Sequence, residues 1–295
     1  MHALFHKIQQ KTKNESPFAI GSPALIWQIV FFYLPLLLMM VSSVFILSEE
    51  GGLQGLTFNN FSPLLSITHL SIIFSSITLA LATAFFSLLI AYPLAHFIAF
   101  KGGRYKTLLL FFLIVPFWTN FLLHVYAWFF VLERDGFLNT VLKRIGLIQE
   151  PIHFLNSLFA ILLMMVYCYL PFMVLPIFST LERFDRRLLE ASNDLGASWK
   201  KTFRSVMLPL TLPAVRAGFF LVFIPAFGEF IIPELMGGDK RYFVGNVITQ
   251  YILGDETGGM GAAFTVLSCI SLIVAVMFIY IAFKKVGEIL LRGLR

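Results

Sequence analysis

The sequence predicts an all-α polytopic membrane protein with six transmembrane helices. Three observations carry that prediction. Hydrophobic residues make up 58% of the chain and charged ones 13%, with a mean hydropathy of +0.85, whereas an average soluble domain carries about a quarter charged residues. Six apolar runs are each long enough to cross a hydrocarbon core of about 30 Å. Lys and Arg gather in alternate segments between those runs. In 295 residues there is no room for a second, soluble domain beside them.

A polar tail, 1–23, carries Lys7, Lys11 and Lys13. The first span, 24–47, is too long for the apolar core of a signal peptide and reads as an uncleaved helix that Pro35 kinks modestly. A loop with Gly51, Gly52 and Gly55 follows, free of Lys and Arg. The second span, 71–100, stops at Lys101, Arg104 and Lys106. The third, 107–132, contains Pro116, a candidate break. A charged loop over 133–151 leads to the fourth, 152–180, with Pro171 and Pro176. The polar segment 181–207 comes next, then the fifth span, 208–232, with Pro225 and Gly228 near its middle. A glycine-rich loop over 233–261 precedes the sixth span, 262–283, and a basic tail, 284–295.

Sixteen of the 22 Lys and Arg fall in the tails and in the segments after spans two and four, and a seventeenth, Arg216, lies near the start of span five on the same side. That face is expected to be cytoplasmic, with both termini on it. The acidic residues Glu49, Glu50, Glu133, Asp135, Glu150, Glu234, Asp239, Asp255 and Glu256 fall on the other. The net charge of +6 then reflects orientation in a lipid bilayer, and no nucleic-acid partner is expected. Cys168 and Cys269 lie in apolar runs without ligand spacing and read as packing residues.

The segment 181–207 is the longest polar interruption between two spans. Asp185 can cap a short helix, with Leu188, Leu189, Ser192 and Leu195 sharing a face. Gly196 suits the left-handed position that ends such a helix. Ser198 can cap a second turn carrying Trp199 and Phe203, and Pro209 can open the fifth span. Two readings stay open on these grounds. One is an amphipathic helix resting on headgroups through Arg186, Arg187, Lys200 and Lys201. The other is a rigid elbow that passes a push into the membrane.

Glu190, Ala191 and Gly196, with Leu208 and Pro209 at fixed distance, resemble the EAA loop of ABC importer permeases. That pattern has Glu-Ala-Ala, Gly four residues on, and Ile-x-Leu-Pro beginning ten residues after the Gly. Here Ser192 replaces the second Ala and Val206 the Ile. The resemblance implies a type I ABC importer permease fold with a cytoplasmic coupling (EAA) helix, in a bacterial inner membrane. It implies two ATPase subunits that the loop docks on, a second permease subunit, homologous or identical, and an extracytoplasmic binding protein. No G-x-x-x-x-G-K-[ST] occurs, so ATP-Mg is expected on the partner ATPase and no cofactor in this chain. No H-E-x-x-H, G-x-S-x-G or paired-Cys motif supports an enzyme.

Further segments are similar to spermidine/putrescine-type permeases: Val115-Pro116-Phe117-Trp118-Thr119-Asn120, Leu170-Pro171-Phe172-Met173, Ile224-Pro225-Ala226, Glu234 to Gly238 and Gly245-Asn246-Val247. They imply a polyamine substrate. A path for a flexible chain of ammonium groups needs carboxylates, aromatic faces and apolar wall. Trp118, Asn120, Tyr126, Glu229 and Glu234 are the candidate path residues, with Trp128, Tyr167 and Tyr169 as further rings. Plainer roles stand beside these. Tyr126 and Trp128 suit an interface belt. Glu229 can pair with His124 or a backbone N–H, Glu234 can touch the external binding protein, and His96 can snorkel or cap. A different solute, such as ferric ion, thiosulfate or another oxyanion, is the rival within the same class. The lack of mid-span Lys or Arg counts against an anion. A secondary transporter would show inverted repeats, which are not evident. A membrane scaffold would leave the register of the polar loop unexplained.

Overall fold

The computed structural model describes residues 21–47, 53–238, 241–254 and 258–292. Most of the basic N-terminal tail, the acidic residues Glu49, Glu50, Asp239, Asp255 and Glu256, Lys240 and the last three residues lie outside them.

The first span is α1, Gly21–Val44, and it ends earlier than predicted. Phe45–Leu47 (β1) leaves the helix and pairs antiparallel with Leu53–Leu56 (β2). The second span is α2, Ile67–Lys101, begun by Ser66 at its N-cap. The third is broken. Helix α3, Lys106–Trp118, and helix α4, Phe121–Leu132, belong to segments that meet at 91°. The break falls past Pro116, at Thr119 and Asn120. Thr119 Oγ1 donates to the Pro116 carbonyl at 2.8 Å, and Asn120 Oδ1 accepts the Leu122 N–H at 2.9 Å. Each residue satisfies a helix end, which is what lets the chain turn within an apolar segment.

A short helix α5, Phe137–Arg144, interrupts the charged loop. The fourth span is α6, Leu158–Glu182. The polar segment forms α7, Arg187–Asp194, and then joins the fifth span without a stop: α8 runs from Trp199 to Phe227. Pro209 therefore does not open a helix. A five-residue π-helical stretch, Phe203–Met207, precedes it, with the Leu208 N–H donating to the Phe203 carbonyl. Pro35 has the same preface, Ile29–Tyr33. A proline ring crowds the carbonyl four residues back. The wider turn moves that carbonyl aside, so the helix passes through the proline.

The fifth span stops at Phe227, five residues before the predicted end. Residues 228–230 are not helical, and α9, Ile231–Gly237, follows. The loop expected after it contains a further helix, α10, Val244–Leu253. The last helix, α11, Gly258–Arg292, runs beyond both predicted ends of the sixth span.

Helices α2, α6 and α8 pack together at the centre. The α2 face is a small-residue stripe: Ala80, Ala84, Ala91, Ala95 and Ala99 are buried. Small side chains let helix backbones approach, which is how packing energy is gained where lipid offers no hydrophobic drive. Gly218 on α8 does the same against α6, where an added Cβ would lie 3.0 Å from Met173 Sδ. Helix α11 flanks α8 and α10, and α1 leans on α11. Phe and Leu side chains on the outer faces are exposed, as a lipid-facing surface requires.

Candidate functional site

Helix α8 ends at Phe227, and the chain then carries Glu229 in the open stretch before α9. Its carboxylate is tightly held. Oε1 accepts the N–H groups of Phe230 and Ile231, each at 3.1 Å, and Oε2 accepts the Tyr169 hydroxyl at 2.8 Å. The two N–H groups are among the unpaired donors that begin α9, so the carboxylate caps that helix. Sequence reasoning put Glu229 inside a helix; the chain instead breaks around it.

The break is itself held from outside. An added Cβ on Gly245, near the start of α10, would lie 2.5 Å from the Gly228 carbonyl oxygen and 2.9 Å from that of Glu229. Asn246 Nδ2 donates to the Phe230 carbonyl at 3.1 Å. Ser76 Oγ on α2 accepts the Val244 N–H at 2.9 Å. Helix α10 thus ties the Glu229 stretch to the central bundle.

Glu229 faces a cleft of ≈ 390 Å³ whose walls include Phe117, Phe121, Cys168, Tyr169, Phe172 and Pro225. The Phe117 and Phe172 rings meet edge to face at 5.4 Å. Among the described residues no Lys, Arg or His lies within ion-pair distance of Glu229; the one ion pair among them, Lys106–Glu182 at 3.7 Å, lies outside the cleft. The cleft therefore combines an acceptor-only group with aromatic faces and apolar wall, and supplies no cation of its own.

The other sequence candidates do not gather here. Asn120 caps α4. Tyr126 is 47% exposed and does not line the cleft. Glu234 is exposed in the first turn of α9. Trp118 ends α3, and its side chain lies outside the described residues. His124 does not reach Glu229; it bonds to Thr119 and to Tyr167. Phe117 and Phe172 were missed as site residues. Among 34 Phe, only their place beside a proline in a distinctive segment set them apart.

The polar elbow is a second site. Asp185 Oδ1 accepts the Arg187 N–H at 3.0 Å and caps α7. Gly196 ends it at φ 72°. The Gly196 N–H donates to the Asn193 carbonyl and the Ala197 N–H to that of Ser192, the paired pattern that closes a helix on a left-handed residue. Ser198 stands at the N-cap of the next turn, but its side chain makes no capping bond. Ser192 Oγ meets Thr202 Oγ1 at 2.8 Å and fastens α7 to α8. Leu188 and Leu195, expected to share a face with Leu189 and Ser192, are 44% and 87% exposed. Glu190 and Ala191 are also exposed, so the outer face of α7 has no partner among the described residues.

The elbow grips the C-terminal end of α2 through rings. Trp199 meets His96 at 5.5 Å, Phe203 meets Tyr92 at 5.4 Å, and the Arg186 guanidinium lies 5.5 Å over Phe100. His96 therefore packs between Phe100 and Trp199.

Broken spans around an acidic cleft, and an elbow continuous with a core helix, fit a membrane-embedded passage for a solute. The chain belongs to the binding-protein-dependent transport system inner membrane component family, whose model matches residues 91–286. It is 38% identical over 242 residues to the spermidine/putrescine transport system permease protein PotB of Escherichia coli K12, covering 81% of this chain and 88% of that one. The PotB of Haemophilus influenzae is 36% identical over 262 residues, 88% of this chain and 91% of that one. The PotC permease of E. coli is 33% identical over 116 residues, 39% and 44% of the two chains. In fold, the chain is similar to a subunit of a bacterial importer of the acidic polysaccharide alginate, with TM-score 0.67, 17% identity and coverage of 95% of this chain and 99% of that one. The chain is thus a multi-pass inner-membrane permease of the type I ABC importer fold. It is a passage and not an enzyme.

Proposed function

We propose that this chain passes polyamines, spermidine or putrescine, into the cytoplasm by alternating access. The observation that carries the reading is Glu229, a carboxylate without a counter-cation among the described residues, facing a cleft walled by Phe117, Tyr169 and Phe172. An alkyl-ammonium chain supplies the missing charge, offers N–H donors to the carboxylate, and lays methylenes and ammonium groups on aromatic faces. The PotB relatives support the same substrate class. Glu234, exposed in α9, fits the outer rim, where a binding protein would deliver its load.

The unpartnered face of α7, with Leu188, Glu190, Ala191 and Leu195, is the docking surface for a separate ATPase. ATP-Mg is bound and hydrolysed on that ATPase, with two ATPase copies per complex. Ser192 and Gly196 hold the docking helix in shape, and Leu208 and Pro209 lie where the push enters the span. The other half of the passage comes from a second permease subunit. Both termini and the elbow are cytoplasmic, in line with the Lys and Arg distribution.

The test is uptake of labelled spermidine and putrescine by polyamine-depleted cells expressing the complete complex, each competed by the other. ATP-dependent accumulation supports the reading. No uptake from a complex that assembles and hydrolyses ATP would rule out polyamines.

A further inference from the structure

A second, smaller cavity of ≈ 60 Å³ opens beside the Glu229 cleft. The two share Phe117, Phe121 and Cys168 as a common wall, and the small one adds Pro116, Thr119, His124 and Tyr167. The hydrogen bonds around it have a fixed direction. A carbonyl oxygen can only accept, so the Thr119 hydroxyl proton goes to the Pro116 carbonyl, at 2.8 Å. Thr119 Oγ1 must then accept from His124 Nε2. In the neutral ring that leaves Nδ1 as the acceptor, and it takes the Tyr167 hydroxyl proton at 3.1 Å. The chain runs one way, from Tyr167 through His124 and Thr119 to Pro116. Every proton in it is used, and the Tyr167 oxygen keeps only lone pairs.

The same polarity holds at the neighbouring carboxylate, where the Tyr169 hydroxyl gives its proton to Glu229 Oε2. Two groups that can only accept therefore flank an apolar partition of Phe117, Phe121 and Cys168. A cavity of this size admits a few water-sized groups, enough for one ammoniomethyl end. Its lining includes the rings of Phe117, Phe121 and Tyr167, faces of the kind that attract a cation, and Tyr167 lies 5.9 Å from the His124 ring.

We propose that this cavity is a second ammonium subsite, with the Tyr167 oxygen as acceptor and His124 as the positioning residue that turns the Tyr167 proton away from the ligand. One ammonium group sits on Glu229, the methylene chain crosses the Phe117–Phe121 partition, and the next ammonium sits at Tyr167. The ligand class is an alkyl chain bearing at least two ammonium groups. The inference rests on the polyamine reading above and adds to it where the second charge is held.

The experiment uses proteoliposomes holding the complete complex, with labelled spermidine on its binding protein, and reads spermidine imported per ATP hydrolysed. Tyr167→Phe keeps the ring and deletes the oxygen, so folding is preserved. His124→Gln keeps one donor for Thr119 and one acceptor for Tyr167, whereas His124→Leu keeps neither. Tyr167→Phe and His124→Leu are expected to lower import per ATP about fivefold or more, in the range of a lost bond to a charged group. His124→Gln is expected to stay within about twofold of the parent, and ATPase stimulation by loaded binding protein to be unchanged in all three. Import per ATP by Tyr167→Phe equal to that of the parent overturns the subsite. Equal loss in His124→Gln and His124→Leu overturns the positioning role. If the parent complex itself imports no spermidine, the polyamine reading fails, which is a separate result.

Discussion

The Tyr169 hydroxyl reaches from the middle of the fourth span to Glu229 Oε2, 2.8 Å away in the break after the fifth. The bond joins a rigid helix to the one carboxylate that lines the aromatic cleft. Glu229→Gln keeps the size and shape of the side chain and removes its charge. Spermidine uptake is expected to fall about tenfold or more, since hydrogen bonds to charged groups contribute roughly 1.5–3 kcal/mol. The amount of assembled complex in the membrane should not change. Glu234→Gln, exposed on α9, should cost much less. Uptake rates normalised to complex abundance decide this, and parent-like uptake by Glu229→Gln would remove it from the path.

Gly245 lies outside the cleft yet fixes its carboxylate. A methyl group there would stand 2.5 Å from the Gly228 carbonyl oxygen, a contact that the backbone can relieve only by moving the Glu229 stretch. Gly245→Ala should lower uptake several-fold and destabilise the protein by about 1–3 kcal/mol, the usual range for overpacking. Thermal unfolding of the purified complex and uptake by the same variant would check both parts. No shift in either would mean that the break is set by its own residues.

Gly196 offers a cleaner backbone test. Among the described residues nothing beyond its chain neighbours lies within 4 Å of a Cβ built there, so a side chain meets no clash; φ 72° is what opposes it. Gly196→Val should cost roughly 1–2 kcal/mol locally and deform α7. Uptake and the ATPase activity stimulated by loaded binding protein should both drop, with insertion intact. Gly196→Asn should retain most activity, because Asn tolerates the left-handed region. Equal behaviour of the two variants would argue against a conformational cause.

Orientation is open to direct labelling. In a background lacking Cys168 and Cys269, Leu195→Cys should react with a membrane-impermeant maleimide only in inside-out vesicles. Glu234→Cys should react only in right-side-out ones. The reverse pattern would invert the topology.

Hydropathy found the membrane-crossing segments because lipid demands long apolar runs whatever their detailed path. It could not find where the helices stop. Residues 228–230 sit in a stretch as apolar as its flanks apart from Glu229, and the backbone there packs closely against Gly245, distant in sequence. The break at Thr119 and Asn120 was partly legible, since Pro116 marks the neighbourhood, but the caps that fix its position are side-chain geometry. Helix α10 lies in a segment whose many glycines read as loop. The elbow was legible in detail at Asp185 and Gly196, where one residue type dictates one local conformation. It was not legible at Leu188 and Leu195, whose exposure depends on what is absent beside them.

The unbroken run from Trp199 to Phe227 has the dimensions of a lever arm. At 1.5 Å per residue, 29 residues make a rod of about 43 Å. The π-helical stretch before Pro209 spares it the break that a proline often makes. A tilt of about 10° around its midpoint would carry the Phe227 end sideways by about 4 Å, close to the cross-section of an alkyl chain. A small rotation imposed at Trp199 would thus be delivered at Gly228 as a displacement comparable in width to the cargo.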